Sequence, residues 1–170
     1  MDERIWADRP ITAKTQIGCG KCVIALENPP HLTLVSGRLD LAVHHLCPDA
    51  PLLGLGEQTE SPDFAMRIAR DHAVLVTHRP ADRAPGWQPE GFSLSHADDR
   101  YAALSLRGDD ATMVLCKGLQ FALPVGSPSC AVRFARKTVL ITGLQNGFTL
   151  WVDQADLTYF STFLARLNHD

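Results

Sequence analysis

The sequence predicts an α+β fold. One domain over residues 1–170 would hold two β-β-α-β-β repeats, with mixed or antiparallel sheets, helices on one face and a further C-terminal helix. Three observations point there. First, Ala65-Met-Arg67-Ile-Ala69-Arg70 and Ala131-Val-Arg133-Phe-Ala135-Arg136 share the pattern Ala-x-Arg-x-Ala-Arg, and each leads into an apolar run ending in Thr77 or Thr142. Self-similarity of this kind marks a repeated structural unit. Second, an apolar strand in each half ends on a glycine, Gly37 or Gly108, just before residues with helical spacing. Third, Asn146-Gly147 between two apolar runs is a strong hairpin signal, and the stripe Leu157, Phe160, Phe163, Leu164 and Leu167 behind it is that of an amphipathic helix. Strands and helices in this order pack as layers around a shared core.

Taken in order, residues 1–19 are polar and unperiodic and read as an N-terminal arm. The first repeat covers residues 20–78. Cys22 to Leu26 is a strand closed by Asn28-Pro29-Pro30, and His31 to Val35 alternates as a second strand. Arg38 to Leu46 carries Leu39, Val43 and Leu46 at helical spacing, and Pro48 stops it. After a loop from Asp49 to Pro62, Phe64–Ala69 and Ala73–Thr77 form a hairpin around Arg70-Asp71. Residues 79–90, with Pro80, Pro85, Gly86 and Pro89, read as a linker.

The second repeat, residues 91–143, follows the same order: strands at Phe92–Ser95 and Ala102–Leu106, then a helix over Asp109–Cys116 with Asp109 as its N-cap. Cys130–Ala135 and Val139–Thr142 are the next hairpin. Residues 144–170 add the strand Phe148–Val152 and a last helix, capped by Asp153.

Composition narrows the function classes. A net charge of −3 and the lack of a basic run argue against a nucleic-acid partner, and no apolar stretch reaches membrane-spanning length. Five cysteines, an odd count, and no signal-peptide core fit a reducing cytoplasm. Hydrolase and metalloprotease motifs are missing, and the short Gly54-Leu-Gly56 and Gly18-Cys-Gly20 pairs do not make a nucleotide loop. His31, His72, His78 and His96 fall at strand ends or loops and receive no role.

Three groups remain as site candidates. Arg67 and Arg133 lie opposite the large apolar residues of their strands, where a guanidinium can sit in solvent or meet a carboxylate of a partner or ligand. Trp87, in the Pro-rich linker, is an anchor, docked on the domain itself or on a partner. Cys19, Cys22, His44 and Cys47 supply the soft and imidazole ligands a tetrahedral zinc site needs, although Cys22 and the His44–Cys47 helix also have core duties.

The run from Leu104 to Leu167 resembles the gamma subunit of heterotetrameric sarcosine oxidase. The pieces that carry the likeness are Leu106-Arg-Gly-Asp109, Leu115-Cys-Lys-Gly-Leu119, Val125-Gly-Ser-Pro-Ser129, Ala131-Val-Arg-Phe-Ala-Arg136, Val139-Leu-Ile-Thr142, Gly147-Phe-Thr-Leu-Trp-Val152 and Tyr159 to Leu167. Gln120-Phe-Ala-Leu-Pro124 departs from the family by lacking an acidic residue. That family is similar to the folate-binding domains of the glycine-cleavage T-protein and the tRNA-modifying GTPase. The resemblance implies an accessory subunit of a complex that oxidatively demethylates sarcosine. Such a subunit packs on a large flavoprotein subunit and has no catalytic residue, while FAD, FMN, NAD and tetrahydrofolate are held by other subunits. The alternatives are a stand-alone folate-binding module of the T-protein kind, as a monomer or a homodimer, and a small zinc-stabilised scaffold.

Overall fold

The computed structural model describes residues 16–28, 30–119 and 126–167, with the backbone alone for 16–19. Most of the expected arm, Trp6 and the Gln120–Pro124 phrase lie outside the described residues. The first half supplies β1 (Gln16–Cys19), β2 (Cys22–Glu27), β3 (His31–Gly37), α1 (Leu39–Leu46), β4 (Leu52–Leu53), β5 (Phe64–Ala69) and β6 (His72–Thr77). The second supplies β7 (Gly86–Gln88), β8 (Phe92–His96), β9 (Tyr101–Arg107), α2 (Ala111–Gly118), β10 (Ala131–Phe134), β11 (Lys137–Leu144) and β12 (Gly147–Asp153). A 3-10 turn at Gln154–Asp156 then leads into α3 (Leu157–Arg166).

Among the described residues these strands make two six-stranded sheets, ordered β1-β2-β9-β12-β11-β10 and β4-β5-β6-β3-β8-β7. All pairings are antiparallel except β4 with β5. The repeats are visible in this order, but they are interlocked. The first repeat's β2 pairs with β9 of the second, and the second repeat's β8 pairs with β3 of the first. Each unit therefore lends a strand to the other's sheet, which makes one core of two halves. Gly37 and Gly108 play matching parts, with φ of 104° and 117°, a region that L side chains rarely enter. A Cβ at Gly37 would stand 2.7 Å from the carbonyl oxygen of Gly91.

Each sheet carries helices on one face. Val114, Leu115, Leu157, Phe160 and Leu164 of α2 and α3 pack on the first sheet with Leu104, Leu106 and Leu150. Leu39, Ala42 and Val43 of α1 cover the second sheet. The remaining faces meet in a third apolar layer, with Leu32, Met66, Val74 and Val76 against Ala103, Leu140 and Trp151. The order of layers is helix, sheet, sheet, helix. Leu164 is fully buried, so truncation to alanine costs about 2–5 kcal/mol.

Four local expectations need correction. The end of the arm is β1, held to β2 by a turn at Gly20-Lys21, and the 79–90 linker contains the edge strand β7, paired with β8. The α2 N-cap is Asp110 rather than Asp109, and its carboxylate accepts from the Lys21 N–H at 2.8 Å instead of capping the helix. Asp153 caps the 3-10 turn ahead of α3, accepting from the Ala155 N–H at 3.0 Å.

The fourth concerns the arginines. Met66 pairs with Val74 and Ala131 with Leu140, and Val74 and Leu140 both lie in the inter-sheet core. Arg67, opposite Ala73, thus takes the structural place of Val132, which faces Val139. A register irregularity between Arg67 and Ala69 accounts for the slip of one residue, and such a slip turns a side chain to the other face of its sheet. Arg67 and Arg133 occupy corresponding strands but opposite faces.

Candidate functional site

Breaking the symmetry of the repeats opens a cleft. In the second sheet β6 pairs directly with β3, whereas in the first β12 is inserted between β11 and β9. The inserted strand brings Thr149 and Trp151 to the inter-sheet space, beside Thr142 of β11. Leu53, Phe64 and Val76 of the second sheet form the facing wall. The hollow between them measures about 480 Å³, a size typical of small-ligand pockets.

Trp151 is almost wholly buried and donates its Nε1–H to Thr142 Oγ1 at 3.1 Å. Phe64 meets its ring edge-to-face, with centroids 6.2 Å apart, a favoured geometry for aromatic quadrupoles.

Two ionisable groups line this apolar space. Glu27 comes at the end of β2, where Oε1 accepts from Ser105 Oγ at 2.6 Å and lies 3.6 Å from Arg107 Nη2. His78 follows the last residue of β6. Because Phe64 pairs with Val76, Asp63 just before β5 comes alongside it. One carboxylate oxygen of Asp63 accepts from the His78 N–H at 2.7 Å and sits 3.1 Å from His78 Nδ1. The other is 3.8 Å from Cys47 Sγ, which donates to it. These contacts hold the Asp63 carboxyl below its ordinary range, the His78 backbone N–H contributing most and the imidazole next. Burial, followed by the neighbouring Asp63 charge, pushes the Cys47 thiol up.

Neither Glu27 nor His78 was found by sequence reasoning. Glu27 ends an apolar strand and His78 opens a Pro-rich loop. What they share is the lining of one cleft between segments far apart in the chain, with no local signal for it.

The expected site residues lie elsewhere. Trp87, 70% exposed, projects from β7 rather than docking on the domain. Arg133 is exposed, while Arg67 is half-buried and its Nη1 donates to the Arg70 carbonyl at 3.4 Å. Of the expected zinc set, the side chain of Cys19 lies outside the described residues, and Cys22 and Cys47 stand in different layers. Cys22 lies in the core between the first sheet and its helices, whereas Cys47 belongs with α1 over the second sheet. Cys47 is spent on Asp63, and the His45 ring next to His44 stacks on Phe92. Among the described residues no group of three His, Cys, Asp or Glu could hold a metal ion, and no helix is long and apolar enough to cross a membrane.

No family model matches the chain, and no curated protein is similar to it in sequence. The fold does match a chain of a solved structure, the heterotetrameric sarcosine oxidase from Corynebacterium sp. U-96 in complex with pyrrole 2-carboxylate. The superposition has a TM-score of 0.64 at 15% identity and covers 91% of this chain and 87% of that one.

Proposed function

We propose that this chain is an accessory subunit of an oxidoreductase complex, similar to the gamma subunit of a heterotetrameric sarcosine oxidase, and that it docks on a large flavoprotein subunit. The observation that carries the reading is the extent of the fold match: 91% of this chain aligns with 87% of a chain drawn from a heterotetramer. Likeness over nearly both lengths suits a shared role as a whole subunit better than a borrowed module. In this reading the flavins, NAD and tetrahydrofolate are held by the other subunits.

The surface supports docking at β7. This strand is at the edge of the second sheet, where backbone groups stand ready to pair with another chain. Trp87 stands exposed upon it, and tryptophan is over-represented among residues that anchor interfaces. Exposed Arg133 is available for a carboxylate of the partner.

Co-expression with the flavoprotein oxidase subunit encoded nearest to it, followed by gel filtration, tests the proposal. Co-elution with bound flavin is expected, weakened by Trp87→Ser. Separate elution of the two wild-type chains at micromolar concentration would refute it.

A further inference from the structure

We propose that the inter-sheet cleft binds an organic cation: a small amine, protonated at neutral pH, carried on an aromatic or other apolar body. This stands apart from the docking reading, since Trp87 does not line the cleft.

Shape and lining specify the body of the ligand. A space of about 480 Å³ bounded by Leu53, Phe64, Val76 and Trp151 favours an apolar group the size of one or two rings. Trp151 cannot swing away without giving up its bond to Thr142, so that wall is preformed.

Charge specifies the rest. Glu27 is the carboxylate of the cleft, and among the described residues no lysine or arginine lines it. The adjoining hollow of about 270 Å³ shares Glu27 and adds Asp98 and Asp99, again with no lysine or arginine among the described residues. The basic side chains beside these carboxylates are Arg107, 3.6 Å from Glu27, and His31, 3.5 Å from Asp98. Neither lines either hollow. An anion entering here would meet carboxylates with no described lysine or arginine to receive it, whereas an ammonium would find a carboxylate and two aromatic rings. Ammonium groups are attracted by both. His78 lines the same cleft, with its Nδ1 held 3.1 Å from a carboxylate oxygen of Asp63.

The same lining disfavours a folate, whose glutamate tail is anionic. The cleft is therefore assigned to the opposite charge class from the one that a folate-binding module would need.

Three probes of one shape and different charge test this on the full chain by titration calorimetry: phenethylamine, 2-phenylethanol and 3-phenylpropionate. Phenethylamine should bind about tenfold more tightly than the alcohol, with the carboxylate weakest. Glu27→Gln should bring the amine down to the level of the alcohol and leave the alcohol unchanged. Should that variant fail to fold, the wild-type protein still decides, because added NaCl must weaken the amine and spare the alcohol. Equal binding of all three probes, a preference for the carboxylate, no binding of the amine at millimolar concentration, or displacement of the amine by 5-formyltetrahydrofolate at lower concentration would overturn the assignment.

Discussion

Trp151 on β12 and Thr142 on β11 are diagonal neighbours on one face of the first sheet, joined by an indole N–H to hydroxyl bond of 3.1 Å. That bond holds the ring between the sheets. It exists because β12 has been added to one repeat and has no counterpart in the other.

Thr142→Val removes the acceptor but keeps the shape, leaving a buried indole N–H unsatisfied. The expected loss is about 1–3 kcal/mol, measured by urea unfolding. Adding Trp151→Phe to that variant should cost less than Trp151→Phe in the wild-type chain, because the orphan donor is gone.

Asp63 makes stability depend on pH at the acid end. Its folded pKa is lowered by the His78 contacts, so the unfolded chain takes up this proton first as pH falls. The contribution is fully present above the ordinary aspartate value of about 3.9, and it is lost as pH drops through the lowered folded value. The Asp63 side chain is 33% exposed, so solvent screens part of the effect. Asp63→Asn should flatten the acid limb of a plot of Tm against pH. An unchanged acid limb would show that these bonds do not form in solution.

Gly118→Ala sets two effects against each other. Alanine is favoured in a helix by about 1 kcal/mol, but a Cβ at Gly118 would run into the ring of Phe134, which is itself fully buried. Overpacking of a core costs about 1–3 kcal/mol, so net destabilisation is expected in thermal melts. A higher Tm would mean that the α2–β10 packing is looser than described.

Cysteine labelling should separate two thiols. Cys130 is buried with its Sγ 3.2 Å from the carbonyl oxygens of Leu53 and Gly54, and burial pushes its pKa up to about 12. Cys116 is exposed. Iodoacetamide at pH 8 followed by peptide mass spectrometry should modify Cys116 in the native protein and Cys130 only after unfolding.

Trp87→Ser touches no core contact, and stability should stay within about 0.5 kcal/mol of wild type. If Trp87 anchors an interface, the same change costs about 2 kcal/mol or more of binding. A stable variant with undiminished partner binding would remove Trp87 from the interface.

Much of the fold was legible in the sequence because its signals are local. Gly37 and Gly108 end their strands in matching conformations, and β11 and β12 form the hairpin expected at Asn146-Gly147. The apolar stripe from Leu157 to Leu164 is the buried face of α3. What escaped is non-local. No short window shows that β2 pairs with β9 and β8 with β3, and a single irregularity after Arg67 undid the equivalence with Arg133 that the wording of the two strands suggests. The cleft was illegible for the same reason: Glu27, Phe64, His78, Thr142 and Trp151 are drawn from segments far apart in the chain.

The most direct measurement is the mass and absorption spectrum of the native assembly, obtained by purifying the chain with a small tag from cells that also express the neighbouring flavoprotein subunit. A stoichiometric complex with that flavoprotein, carrying flavin absorbance and dissociating on Trp87→Ser, is the predicted result. A lone monomer or homodimer without flavin, at concentrations where both proteins are abundant, would contradict it.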